Sequence, residues 1–167
     1  KQFYQNNLKS VIRQAYKNYT VIYLDDFSPD GTGDLVERFI QDHNAQGNFI
    51  LIKNRVRCLA LRNIYHAIHK YCTDDDIVVI LDGDDWFENQ YTLAIINQEY
   101  QDPNTWLTLG HERPSQGRMG KPQSIPNYII QENSYRKNGV YLAHPRTCRA
   151  WLFKLLALED LMYQGAF

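Results

Sequence analysis

The 167-residue chain carries 18 basic and 19 acidic residues, a formal net charge of -1, and 44% hydrophobic residues. That length suffices for one domain with a real core, and the balanced charge offers no basic excess for nucleic acid or an anionic membrane. The longest apolar runs, such as Ile77–Leu81, are far too short to span a bilayer, and Lys1-Gln2-Phe3-Tyr4 opens into polar helix-like sequence rather than a signal peptide.

Leu8, Val11, Ile12 and Ala15 fall at helical spacing and predict an amphipathic helix over 4–16. Thr20 to Leu24 reads as a short strand closed by Asp25-Asp26, and Ser28-Pro29-Asp30-Gly31 is turn chemistry. A helix follows from about Gly33 to His43, with Leu35, Val36, Phe39 and Ile40 inward. Asn48 to Lys53 is the next strand, and Leu59 to Tyr71 is helical with Leu61, Ile64, Tyr65 and Ile68 on one face. After Asp74-Asp75-Asp76, the run Ile77-Val78-Val79-Ile80-Leu81 reads as a strand buried on both faces. A helix over Asn89 to Tyr100 and a strand over Thr105 to Leu109 complete the regular part. His111 to Asn127 has the prolines and glycines of a loop, Asn127 to Gln131 suits a strand, and Arg146 to Ala157 suits a helix with Trp151, Leu152, Leu155 and Leu156 on its apolar side. Strands alternating with helices imply an α/β domain with a mostly parallel sheet and right-handed crossovers.

The chemistry gathers at strand ends. Ligands of open α/β sheets bind beyond the carboxyl ends of the strands. Asp25-Asp26 and Asp82-Gly83-Asp84-Asp85 both lie there, so two acidic clusters distant in sequence are expected to converge on one crevice. Three acids after a buried strand are costly unless a cation neutralises them. Mg²⁺ or Mn²⁺ bridging a diphosphate answers that need. Asp84, with Asp82, is the expected metal ligand, Asp82 also accepts from a sugar hydroxyl, and Gly83 permits a tight turn and close ligand approach. The bland alternative is a solvated turn in which Asp85 caps the next helix. One carboxylate of Asp25-Asp26 suits a base imide N–H, or else merely the loop that follows, where Ser28 reads as a turn residue. Arg62 suits either a nucleotide or a structural ion pair. His66 and His69 share a helix side without a third ligand, and read as exposed. His144-Pro145-Arg146 opens the last helix and suits a phosphate neighbourhood or a structural turn. Glu159-Asp160 offers a general base or a helix-end surface pair. Cys58, Cys72 and Cys148 lack metal-ligand spacing and read as buried, reduced thiols. The 12 tyrosines suit sugar or base stacking and equally suit half-buried packing.

These motifs resemble glycosyltransferase family 2, of the GT-A fold. Tyr16 to Thr32 is similar to the family's first nucleotide-binding segment, Ala60-Leu61-Arg62-Asn63 to its Ala-Arg-Asn helix, and Val78 to Trp86 to the strand carrying its Asp-x-Asp motif. The resemblance implies a GT-A, Rossmann-like domain over 1–167 that transfers a sugar, with inversion, from a nucleoside-diphosphate donor such as a UDP-sugar to an acceptor hydroxyl on a glycan, lipid or protein. By motif, Asp26 would contact the base, with Asp25 and Ser28 beside it, Arg62 the nucleotide, Asp82 and Gly83 the ribose region, and Asp84 the metal. Glu159 and Asp160 stand as candidates for the base. The expected location is the cytoplasm, including the cytoplasmic face of a membrane for a longer protein.

The chain departs from that pattern. Lys1 stands where the family's first helix begins, so the strand that runs between those ending at Asp26 and Asp82 is missing. Two inner edges then lose their hydrogen-bond partner. The expectation is a domain incomplete at both ends. Val56-Arg57 also replaces the glycine usual before the Ala-Arg-Asn helix. Three other classes share parts of the signal. A phosphoacceptor receiver domain needs fewer acids than Gly83-Asp84-Asp85 supplies. A nucleotidyltransferase needs a glycine-rich basic loop that is lacking. A non-catalytic nucleotide- or sugar-binding fragment fits an incomplete chain.

Overall fold

A computed structural model describes residues 2–110, 125–135, 137–138 and 144–162. Helix α1 spans Tyr4–Ile12, shorter than the expected 4–16. Its ladder is diverted: Ala15 N–H donates to Gln90 O at 2.8 Å, and buried Gln14 bonds Asn89 O and Leu93 N–H. Strand β1 (Val21–Asp25) pairs in parallel with β2 (Phe49–Lys53), joined by α2 (Thr32–Asp42). Leu8 of α1 and Val36, Phe39 and Ile40 of α2 form the core over this pair. Then come α3 (Ala60–Tyr71), β3 (Ile77–Ile80), α4 (Thr92–Glu99) and β4 (Leu107–Leu109). The start of α4 is delayed because Asn89 Oδ1 accepts from Tyr91 N–H, making residues 89–91 a turn.

Two expected elements change type. Asn127–Gln131 is helix α5, not a strand: Pro126 stands at its N-cap, and only Ile129 of its apolar residues is buried. Arg146–Arg149 is strand β5, not helix, and the helix is confined to α6 (Ala150–Lys154). The apolar periodicity of 151–156 is real only in that short helix, and Leu155 is exposed. Strand β5 lies between β3 and β4, antiparallel to both, so this part of the sheet is antiparallel rather than parallel. Buried Thr147 holds the position, its hydroxyl bonded to Tyr100 Oη at 2.8 Å and to Thr108 Oγ1 at 2.6 Å. Pro145 has no N–H to offer, so the β3–β5 ladder stops at Ile80–Arg146.

Among the described residues no ladder joins β1 to β3. The sheet divides into β1-β2 and β3-β5-β4. Residues of both facing strands, Val21 to Leu24 and Ile77, Val79 and Ile80, line one cavity of about 1130 Å³. This corrects the expectation that Ile77–Leu81 is buried on both faces. All of β3 is only half-buried, because one edge meets β5 and the other meets the cavity. The cysteines are free, with Cys148 buried but Cys58 and Cys72 half-buried. The loop expected from His111 lies, up to residue 124, outside the described residues.

Candidate active site

The two acidic segments do meet one cavity, whose lining includes Asp26, Asn63, Asp82 and Gly83. Each is built differently. Asp25 closes β1 and is buried, its carboxylate pressed against the start of α2. A Cβ at Gly33 would lie 2.7 Å from Asp25 Oδ2, so only glycine lets the helix approach this closely. Asp25 is therefore turned into the fold rather than toward a ligand.

Asp26 is a clasp. Its Oδ1 accepts from Asn54 Nδ2 at 2.8 Å and Cys58 N–H at 2.7 Å, and its Oδ2 accepts from Leu59 N–H at 2.8 Å. Burial pushes the carboxyl upward, but the donors around it (Asn63, Cys58, Asn54 and Leu59) outweigh that and hold it at about 2. Leu59 has φ +68°, a costly conformation for a side-chain-bearing residue, and it opens α3. Asp26 thus fixes the path of residues 54–59, where the expected glycine is absent. Buried Asn63, whose Oδ1 accepts from Asn54 Nδ2 at 2.8 Å, faces this clasp, while its neighbour Arg62 is exposed. Ser28 is half-buried, and His66 and His69 are exposed as expected, His69 stacked on Tyr65.

The second segment is held by a residue that its sequence position does not advertise. Buried Asn7 of α1 donates from Nδ2 to Asp82 O at 3.0 Å and to Asp85 O at 2.7 Å, pinning both ends of the turn. Gly83 does not have a positive φ, and nothing lies within 4 Å of where its Cβ would be. The tight-turn reason for this glycine is therefore corrected. His144 stands over the turn, its Nδ1 2.9 Å from Asp85 Oδ2 and its Nε2 3.3 Å from Asp82 Oδ2. Its side chain is only 13% exposed against 48% and 44% for the two acids, so one surface of the cluster is closed. Gly110, at the end of β4, allows that approach: a Cβ there would collide with the His144 carbonyl and the Pro145 ring.

Asp82, Asp85 and His144 each offer a ligand atom, all within 4.8 Å of one another. Two carboxylates and an imidazole suit a first-row divalent cation, and neighbouring ligands on an ion at about 2.1 Å stand roughly 3 Å apart. The set fits such an ion with small adjustments. Asp84 is exposed and outside the trio, while Asp85, expected only as a cap, is inside it. Asp160 Oδ2 accepts from Ala157 N–H at 2.8 Å, capping its own short turn (Leu158–Leu161) with Glu159 exposed beside it. No described bond links either acid to the trio.

The glycosyl transferase family 2 model matches residues 2–161, nearly the whole chain. The chain belongs to that family. Its fold is the GT-A fold, and solved structures agree. A mannosyltransferase from Pyrobaculum calidifontis, solved with GDP-Man and Mn²⁺, superposes at a TM-score of 0.69 with 20% identity, over 92% of this chain and 42% of that one. TarS residues 1–349 from S. aureus superpose at 0.66 with 21% identity, over 95% of this chain and 49% of that one. This family 2 chain thus spans less than half of either structure. No curated protein matches it. Among the described residues no helix is long and apolar enough to cross a membrane.

Proposed function

We propose that this chain is the donor-binding part of an inverting glycosyltransferase that uses a divalent cation, Mn²⁺ or Mg²⁺, to take a nucleoside-diphosphate sugar. The observation that carries the reading is the trio of Asp82, Asp85 and His144, of which Asp82 lines the cavity that Asp26 and Asn63 also line. When bound, the cation acts as a Lewis acid that neutralises the departing diphosphate. Asp82 and Asp85 supply the opposing charge, His144 shields one side, and Asn7 holds the turn so that the carboxylates stay together. Asp84, exposed on the same turn, would add negative charge near the ion. The solved mannosyltransferase binds GDP-Man with Mn²⁺ and supports the cation class.

UDP is the preferred donor in this reading. Asp26 Oδ2 takes one described bond, leaving acceptor capacity for a uracil imide beside the clasp. In this reading Ser28, half-buried after β1, serves the base end and Arg62, exposed on the first turn of α3, serves the nucleotide. The acceptor is a hydroxyl of a glycan, lipid or protein, and Glu159 or Asp160 is the candidate base. Among the described residues the facing edges of β1 and β3 have no partner strand, which in this reading leaves room for one between them.

The test is release of nucleoside diphosphate from a panel of UDP-, GDP- and CDP-sugars, with the product's anomeric configuration read by NMR. Metal-dependent turnover of a UDP-sugar with inversion is expected. Binding without turnover would favour the non-catalytic fragment instead. No binding of any nucleotide would end the reading.

A further inference from the structure

The geometry points to Arg146 as the cation that receives the diphosphate once a divalent ion occupies Asp82, Asp85 and His144. The inference rests on the proposed function and adds a residue to it. The Arg146 backbone is held on both sides, opposite Ile80 of β3 and Leu109 of β4. Its register places it two residues from the acidic turn on the neighbouring strand, so only its side chain is free to respond. That side chain makes one loose ion pair and one contact, both through Nη2. Nη2 stands 3.7 Å from Asp82 Oδ2, far beyond the roughly 2.7–2.9 Å of a charge-assisted bond. Nη2 otherwise touches His144 Nε2. Nε is sealed from solvent and has no hydrogen-bond partner, the one such side-chain atom among the described residues.

A guanidinium N–H without an acceptor is costly, and Nε has none as the side chain now lies; the partly exposed side chain can turn to offer it to a ligand. Asp82 and His144 are the groups that hold Arg146 loosely now. Both belong to the ligand trio, so a bound cation draws their lone pairs away from the guanidinium. The oxygens of a diphosphate carried on that cation then become the available acceptors. The planar fork of arginine matches two phosphate oxygens where an ammonium presents a single point of charge. Arg57 lines the cavity together with Asp26 and Asn63, on the clasp side.

Calorimetry on the whole chain separates the roles, with Mn²⁺ alone, Mn²⁺ with inorganic pyrophosphate, and Mn²⁺ with UDP as probes. Arg146→Gln is expected to keep Mn²⁺ affinity within about twofold while weakening pyrophosphate and UDP about 10- to 100-fold. Arg146→Lys should restore only part of that loss, since it keeps the charge but not the fork. Thermal melts of both variants check that they remain folded. Unchanged UDP and pyrophosphate affinity in Arg146→Gln overturns the inference. An equal loss for Mn²⁺ alone also overturns it, because Arg146 would then merely shape the metal site. So does a wild-type chain that binds no pyrophosphate with Mn²⁺. Arg146-dependent pyrophosphate binding without sugar transfer would sink the enzymatic reading and leave this assignment standing.

Discussion

Asp85→Ala is expected to weaken Mn²⁺ binding by about 100-fold or more, whereas Asp84→Ala costs a few-fold at most. The scale follows from metal sites in general, where loss of a group that only supports a ligand already costs about 10–100-fold. Asp85 is in the trio and its Oδ2 lies 2.9 Å from His144 Nδ1, while Asp84 is exposed and outside it. Asp82→Ala and His144→Ala should resemble Asp85→Ala. Each replaces a side chain, whereas the turn is held through backbone carbonyls by Asn7, so the fold should persist. Direct titration of Mn²⁺ decides the matter. A silent Asp85→Ala with a crippled Asp84→Ala would move the ion to Asp84, the residue the spacing of the motif first suggests.

Asp26→Ala should be the most destabilising single change at the site, by about 2–4 kcal/mol. Two backbone N–H groups, of Cys58 and Leu59, and the Asn54 amide lose their acceptor together. Leu59 loses what holds it at φ +68°, so residues 54–59 and the start of α3 should loosen. The sign with pH follows from the carboxyl sitting at about 2, below the usual aspartate value near 4. Its contribution is full above about pH 4 and is lost as pH falls from 4 toward 2. That contribution is about 1 kcal/mol after allowance for its partial exposure. Denaturant unfolding of Asp26→Asn should lack this acid-range slope. A variant as stable as wild type, with the same slope, would show that Asp26 is not the clasp.

The strand ends and their acids were legible because a buried strand and a carboxylate cluster conflict within a few residues of sequence. Ile77–Leu81 followed by Asp82-Gly83-Asp84-Asp85 needs no distant information to look like a site. The choice between Asp84 and Asp85 was not legible, since it depends on where His144 comes to rest, 59 residues after Asp85 in the sequence. His144 itself depends on β5 being a strand. Arg146–Arg149 has too few residues to declare a period, and the apolar spacing of Trp151 and Leu152 extends the helix signal backward over it. Thr147 is buried through hydroxyl bonds to Tyr100 and Thr108, a reason that hydrophobic pattern cannot carry. Asn7 was invisible for the same cause, being a polar residue buried to satisfy carbonyls of a turn 75 and 78 positions away. The short helix α5 had a local signal in Pro126, outweighed by the apolar pair Ile129-Ile130. The half-burial of β3 reflects the cavity along one edge, which the composition of the strand itself cannot report.

The central claim is that a divalent ion on Asp82, Asp85 and His144 receives the diphosphate of the donor. Calorimetric titration of UDP, GDP and CDP, each with Mn²⁺ and after chelation, tests it most directly. Binding should require Mn²⁺, be tightest for UDP and disappear in Asp85→Ala. Equal affinity for all three nucleotides, unchanged by chelation, would contradict it.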